Sequence, residues 1–294
     1  PVINTRSFGE DPVKVADKVI AYASGLESGK VLSVCKHFPG HGDTDVDSHK
    51  ALPVLPFTRE RLDSVELYPF KEAIRAGVSG MMVGHLQVPV IEPIGDLPSS
   101  LSRNVVYGLL TEELAFKGLI FTDALAMKGV AGNKSVCLQA LQAGNDMVLA
   151  PRRLKEEMDA VLEAVEKGEL PEEEINAKCR KVLTYKYILG LERKPFVKLS
   201  GLGTRINTPQ TRDLISRLNL AAITVLNNKN DVLPLHPDLK EAAILNVGKP
   251  EEIEPFDRKM KKYTSFARFQ LRKDLPEAEQ QKLRDSLAAY RRVI

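Results

Sequence analysis

The sequence predicts an α/β protein in which a parallel sheet is covered by helices, and three observations predict it. Short apolar, β-branched runs, of which Val31 to Cys35 is the first, read as buried strands. Each run is followed by a segment of helical periodicity, the alternation that parallel strand pairing requires. Polar residues collect where the strands end, as they do on the face of α/β folds that carries chemistry. Four such units suit the C-terminal part of a (β/α)8 TIM-type barrel. A doubly wound sheet has the same periodicity, and the pattern alone does not separate the two.

Asp11 followed by Pro12 opens a helix to Gly25, with the carboxylate as N-cap and proline at the first helical position. Lys30 to Phe38 is the first strand. Thr58 caps the next helix, whose apolar face runs through Leu62, Val65, Leu67, Phe70 and Ile74 to a stop at Gly77. Pro69 is expected to bend or split it. Val78 to Leu86 is the second strand, with His85 near its end. Ser102 opens a helix over 103–114, and Gly118 to Leu125 is a third strand with Asp123 near its end. A helix over 133–143, a strand from Asp146 to Pro151, and amphipathic helices over 152–167 and 172–189 follow.

From Lys194 to Pro209 the composition shifts to proline, glycine and threonine, which reads as a linker between a domain over 1–193 and another over 210–294. In the second domain Thr211 to Asn219 is expected as helix, Ala222 to Leu226 and Ala242 to Val247 as strands, then two charged helices and a strand start at Arg292. His236, before Pro237, reads as a surface turn residue.

Composition narrows the function. At 294 residues and 43% hydrophobic content the chain can bury one large core or two smaller ones. A net charge of +3 from 42 basic and 39 acidic residues leaves no single-sign block to mark a nucleic-acid partner, and Arg258 to Lys262 reads as a solvated helix face. No apolar run is long enough to span a bilayer. Cys35, Cys137 and Cys179 are odd in number and far apart, so they read as small buried hydrophobes rather than as disulfides or a zinc site.

The densest chemistry lies in Lys36 to His49, which holds three of the five histidines, three aspartates and a lysine. Pro39, Gly40 and Gly42 break regular structure there and force a loop at the strand end. Asp47 and His49 are two apart, close enough for the carboxylate to bond one ring nitrogen and leave the other free to shuttle a proton. His37 and His41 are four apart, but joint metal ligation at that spacing needs a helix, and Pro39-Gly40 opposes one. Each residue also has a structural reading: His37 and His41 as partners of backbone groups, His85 as a buried histidine, Asp123 as an N-cap, Asp47 and His49 as a solvated pair.

Lys36-His37-Phe38-Pro39-Gly40-His41-Gly42, followed by Asp47-Ser48-His49, closely resembles the signature of bacterial β-N-acetylglucosaminidases of glycoside hydrolase family 3. Asn4 to Asp11, Phe121-Thr122-Asp123-Ala124-Leu125 and Ala143-Gly144-Asn145-Asp146 resemble three further family blocks, in order. The resemblance implies a barrel followed by part of a three-layer α/β sandwich. It implies Asp123 as nucleophile, His49 as general acid and base, and Asp47 as its dyad partner. It implies Arg6, Lys36, His37, His85 and Met127 as sugar-binding residues. No metal and no cofactor are expected, and the partner is a small GlcNAc-containing carbohydrate bound by a monomer. The family carries the first half of its barrel upstream, so this chain alone is expected to be poorly stable and inactive while its parent is active. The compartment stays open.

Overall fold

The computed structural model describes residues 2–44, 46, 51–130, 132–193, 197–229, 233–234, 242–263 and 266–294. The chain divides into two compact units, Pro1–Val197 and Lys198–Ile294.

In the first unit four strands, β1 (Val34–Phe38), β2 (Gly80–Val83), β3 (Leu119–Ala124) and β4 (Met147–Leu149), pair in parallel and in chain order. A doubly wound sheet reverses direction at a switch point, whereas this order advances one strand at a time, as a barrel's does. The four strands form an open sheet. Helices α1 (Pro12–Ser28), α2 (Arg59–Arg61), α3 (Tyr68–Arg75), α4 (Val136–Ala143), α5 (Leu154–Glu166) and α6 (Glu172–Ile188) accompany it.

The caps act as the sequence predicts. Asp11 Oδ1 accepts from the amides of Val13 at 2.9 Å and Lys14 at 3.1 Å, and Thr58 Oγ1 accepts from the Arg61 amide at 3.3 Å. Pro69 does split its helix. Between α2 and α3 the chain widens into a π turn at Leu62–Glu66, and the proline sits in the first turn of α3, where its missing N–H costs nothing. The helix expected over 103–114 is also π in its body, Asn104–Glu113. There the Thr111 hydroxyl donates to the Val106 carbonyl five residues back at 3.1 Å.

Among the described residues, two apolar cores lie in this unit: a smaller one of Leu101, Leu125, Val130, Val136, Cys137 and Ala140, against which Val148 of β4 and Val161 of α5 pack, and a larger one that joins β1 to β3 with α1 and α3. Phe38, Leu55, Leu62, Met81, Val83 and Leu110 are buried within the larger, and Phe38 meets Phe70 edge to face at 5.4 Å between ring centres. Polar side chains tie the strand starts to the helices. Glu27 of α1 accepts from the Ser33 hydroxyl and from the Ser79 amide at 3.0 Å. Burial alone would raise its pKa, but the bonds from Ser33 and Ser79 prevail and hold the carboxyl below its usual range. Asp146 Oδ2 accepts from the Ile120 amide at 2.8 Å and from Lys181 Nζ at 2.6 Å, joining β3 to α6.

In the second unit β5 (Ala242–Val247) pairs in parallel with both β6 (Ala267–Leu271) and β7 (Arg292–Val293), in the order β6-β5-β7. Here the order reverses. By the right-handed crossover rule the connecting helices α9 (Pro250–Met260) and α10 (Glu277–Leu287) fall on opposite faces, which is a three-layer arrangement. Its core is small: Ala242, Ile244 and Phe266.

Several expectations are corrected. The stretch read as linker contains a short helix, α7 (Leu202–Ile206), and the helix α8 (Pro209–Ala222) starts before Thr211 because Thr208 caps it and Pro209 opens it. Residues 222–226 are not a strand: α8 runs through Ala222 and no regular structure follows over 223–226. Strand β6 lies between the two charged helices, where none was expected. All three cysteines are free, but only Cys137 is buried, Cys35 is half-buried and Cys179 is exposed. His236 lies outside the described residues. Among the described residues, no helix is long and apolar enough to cross a membrane.

Candidate active site

The ends of β1 and β3 bring the predicted chemistry together. The register of β1 against β2 slips between Lys36 and Phe38, so His37 is an extra residue in the strand. The peptides Lys36-His37 and Phe38-Pro39 are both cis. Beyond them the chain turns at Gly40, whose φ is +139° and where an added Cβ would sit 2.8 Å from that of Glu66. Only glycine meets both demands.

His37 reaches across to β3, and its Nε2 lies 3.7 Å from Asp123 Oδ2, beyond hydrogen-bond length. Asp123 Oδ1 is held by the Ala124 amide at 2.8 Å. The His37 and Asp123 side chains are 10% and 15% exposed, sheltered but open to a ligand. Burial pushes the His37 pKa down to about 4 against the pull of the Asp123 charge, and the positive charges of Lys36 and Arg6 and the neighbouring His41 push the same way. His37 is therefore neutral near pH 7, able to donate from one nitrogen and accept at the other. Lys36 is exposed beside it, and Arg6 lies in the turn Asn4–Arg6, drawn toward this loop by the Val2 amide, which donates to the Thr44 carbonyl at 3.4 Å.

The other sites divide. His41 is buried, with its ring edge-on to His37 at 5.9 Å and its Nδ1 2.6 Å from Thr44 Oγ1, so it braces the loop. His85 is fully buried just past β2, with Nδ1 2.7 Å from Ser100 Oγ and Nε2 3.0 Å from the Ala124 carbonyl oxygen. Met127 is buried in the turn after β3, where its amide donates to the same carbonyl at 3.0 Å. Asp47 and His49 lie outside the described residues. Sequence reasoning passed over Ser100 and the side-chain role of Asn145. Their partners are 15 and 45 residues away, and no local pattern marks such pairs.

An arrangement of this kind offers one carboxylate oxygen to an electrophile, with neutral imidazole, ammonium and guanidinium groups around it to bind hydroxyls.

The comparisons with known proteins agree with that chemistry. The chain is 34% identical to beta-hexosaminidase A of Pseudoalteromonas piscicida over 257 residues, covering 80% of this chain and 42% of that one. A solved glycoside hydrolase family 3 beta-N-acetylglucosaminidase from Paenibacillus sp. str. FPU-7 superimposes with a TM-score of 0.79 at 32% identity, over all of this chain and 58% of that one. The beta-glucoside phosphorylase BglX superimposes with a TM-score of 0.81 at 26% identity, covering 94% of this chain and 53% of that one. The chain thus spans roughly half the length of these relatives. The description "Glycosyl hydrolase family 3 N terminal domain" matches residues 1–185. With most of its length in that match and its strands in barrel order, this chain belongs to glycosyl hydrolase family 3.

Proposed function

We propose that the protein carrying this chain is a retaining exo-β-N-acetylglucosaminidase that removes terminal β-linked GlcNAc from muropeptide fragments, such as GlcNAc-anhydroMurNAc compounds, or from chitooligosaccharides. Asp123 attacks the anomeric carbon through Oδ2. His49, oriented by Asp47, gives its proton to the leaving oxygen as the glycosidic bond breaks, and a glycosyl ester on Asp123 results. His49 then takes a proton from water, the water oxygen bonds to the anomeric carbon, and Asp123 leaves as carboxylate, so configuration is retained. Arg6, Lys36 and His37 bind sugar hydroxyls.

The observation that carries this reading is the carboxylate of Asp123 at the end of β3, one oxygen held by the Ala124 amide and the other turned toward a sheltered His37. The 34% identical hexosaminidase supports the acetamido sugar as substrate. The test is hydrolysis of 4-nitrophenyl β-N-acetylglucosaminide against the β-glucoside by the full-length protein, beside Asp123→Ala and His49→Ala. Cleavage of the acetamido sugar alone, lost in both variants, is the expected result. Preference for the glucoside would indicate a β-glucosidase or β-xylosidase. Sugar binding without turnover would indicate a silent binding module.

The similarity to a beta-glucoside phosphorylase motivates a second reading of the deglycosylation step. A neutral imidazole does not repel an anion as a carboxylate would, so phosphate can replace water as acceptor. Sugar 1-phosphate formed on adding phosphate would establish it, and none at high phosphate would dismiss it.

A further inference from the structure

None of the steps above uses the Ala143-Gly144-Asn145-Asp146 block or the serine-rich loop after β2, yet together they build a buried polar chain. Asn145, Ser100 and His85 are all 0% exposed. Asn145 Nδ2 donates to the Ser100 carbonyl at 2.8 Å and to the Ala140 carbonyl at 2.8 Å. Ser100 Oγ lies 2.7 Å from His85 Nδ1, and His85 Nε2 lies 3.0 Å from the Ala124 carbonyl oxygen. A carbonyl oxygen only accepts, so Nε2 carries the proton to Ala124, and in the neutral ring Nδ1 accepts from the Ser100 hydroxyl. The chain ends on the residue whose own amide holds Asp123 Oδ1 at 2.8 Å.

Burying polar side chains from separate segments is unfavourable unless they are bonded; Asn145 Oδ1 has no hydrogen-bond partner among the described residues, and the bonds that the chain does make fix the groups they reach. Here it reaches the peptide on the C-terminal side of Ala124, one Cα away from the amide that holds Asp123. The Ala124 carbonyl takes the His85 proton and the Met127 amide, and the next residue, Leu125, donates its amide to the Leu149 carbonyl on β4 at 2.8 Å.

We propose that His85, held as its Nε2–H tautomer by Ser100 and braced through Ser100 by Asn145, is a positioning residue. It fixes the Ala124 peptide so that Asp123 Oδ1 stays anchored and Oδ2 faces the anomeric carbon, and it does not itself touch the sugar. This rests on Asp123 being the nucleophile, and it departs from the family resemblance, which gives His85 a sugar contact.

The test compares His85→Gln, whose amide nitrogen reaches the place of Nε2, with His85→Asn, whose amide reaches only that of Nδ1, in the full-length protein on 4-nitrophenyl β-N-acetylglucosaminide. Misplacing a reacting group by about an ångström can cost on the order of 100-fold. His85→Asn is expected to lower kcat by about that factor, with KM and inhibition by GlcNAc within about threefold of wild type, and His85→Gln to recover to within about tenfold. Ser100→Ala is expected to lower kcat by about tenfold and Ser100→Thr to restore it, a pair that decides the matter even if a His85 variant does not fold. Equal kcat in the Gln and Asn variants, or weakened GlcNAc inhibition with kcat unchanged, would overturn the proposal. A wild type without turnover, or a fully active Asp123→Ala, would instead remove the nucleophile assignment and this inference with it.

Discussion

Two histidines stand at neighbouring strand ends in different surroundings. His37, in the bulged end of β1, has Nε2 3.7 Å from the Asp123 carboxylate and a side chain 10% exposed. His85, just beyond β2, is wholly buried and has both ring nitrogens within hydrogen-bond length of fixed groups. Residue type and place in the fold are the same. What differs is the hydrogen-bond saturation of the ring, and that difference is what the proposed roles rest on, a ligand contact for His37 and a positioning role for His85.

The largest effect expected from breaking this arrangement is at the residue both histidines serve. Asp123→Asn should lower kcat/KM by about 10,000-fold or more, because the proposed nucleophile is lost, while the fold survives, because the asparagine oxygen can still accept from the Ala124 amide. Steady-state kinetics with a thermal melt would check it, and activity within tenfold of wild type would remove Asp123 from the chemistry. His85→Ala comes next. It leaves a cavity and strips the buried Ser100 hydroxyl and Ala124 carbonyl of a partner, a loss of about 2–4 kcal/mol readable as a drop in the urea midpoint. His37→Ala should do the reverse, costing less than about 1 kcal/mol of stability but about 100-fold in kcat/KM through loss of the proposed sugar contact. Variants that both act on stability alone would erase the distinction.

Much of the frame was legible in the sequence. Asp11 before Pro12, Thr58 three residues before Arg61, and Pro69 inside an apolar period are local signals, and each sits where local chemistry placed it. The four strands of the first unit announced themselves as apolar runs because a parallel sheet is buried on both faces. Strand β6 did not, since Ala267–Leu271 alternates apolar and polar residues between two charged helices and its pattern is too short to outweigh them. The supposed strand at 222–226 failed for the opposite reason, its apolar run being shared with the end of α8. Asp123 and His37 were readable as strand-end polar residues. The use made of His85 was not, because Ser100 and Ala124 approach it only when the connection from β2 to β3 has folded.

The effect that leaves activity at neutral pH untouched, and so comes last, is the pH dependence of stability through His37. Burial holds the His37 pKa at about 4, well under its ordinary 6.5. An unfolded chain takes up a proton on this ring near pH 6.5, while the folded chain declines it until about pH 4. Across that window the unfolded state binds more protons, so stability rises with pH. The contribution is fully present above about 6.5 and is lost as pH falls toward 4, by at most about 3 kcal/mol. Urea midpoints stepped from pH 7 to 4 should fall more steeply for wild type than for His37→Gln. The Asp123 charge favours the protonated ring, so in Asp123→Asn the His37 titration followed by NMR should move lower still. A His37 titrating near 6.5 in the folded protein would mean the ring is solvated, and with it would go the sheltered, neutral hydrogen-bonding partner that the β1 and β3 strand ends provide.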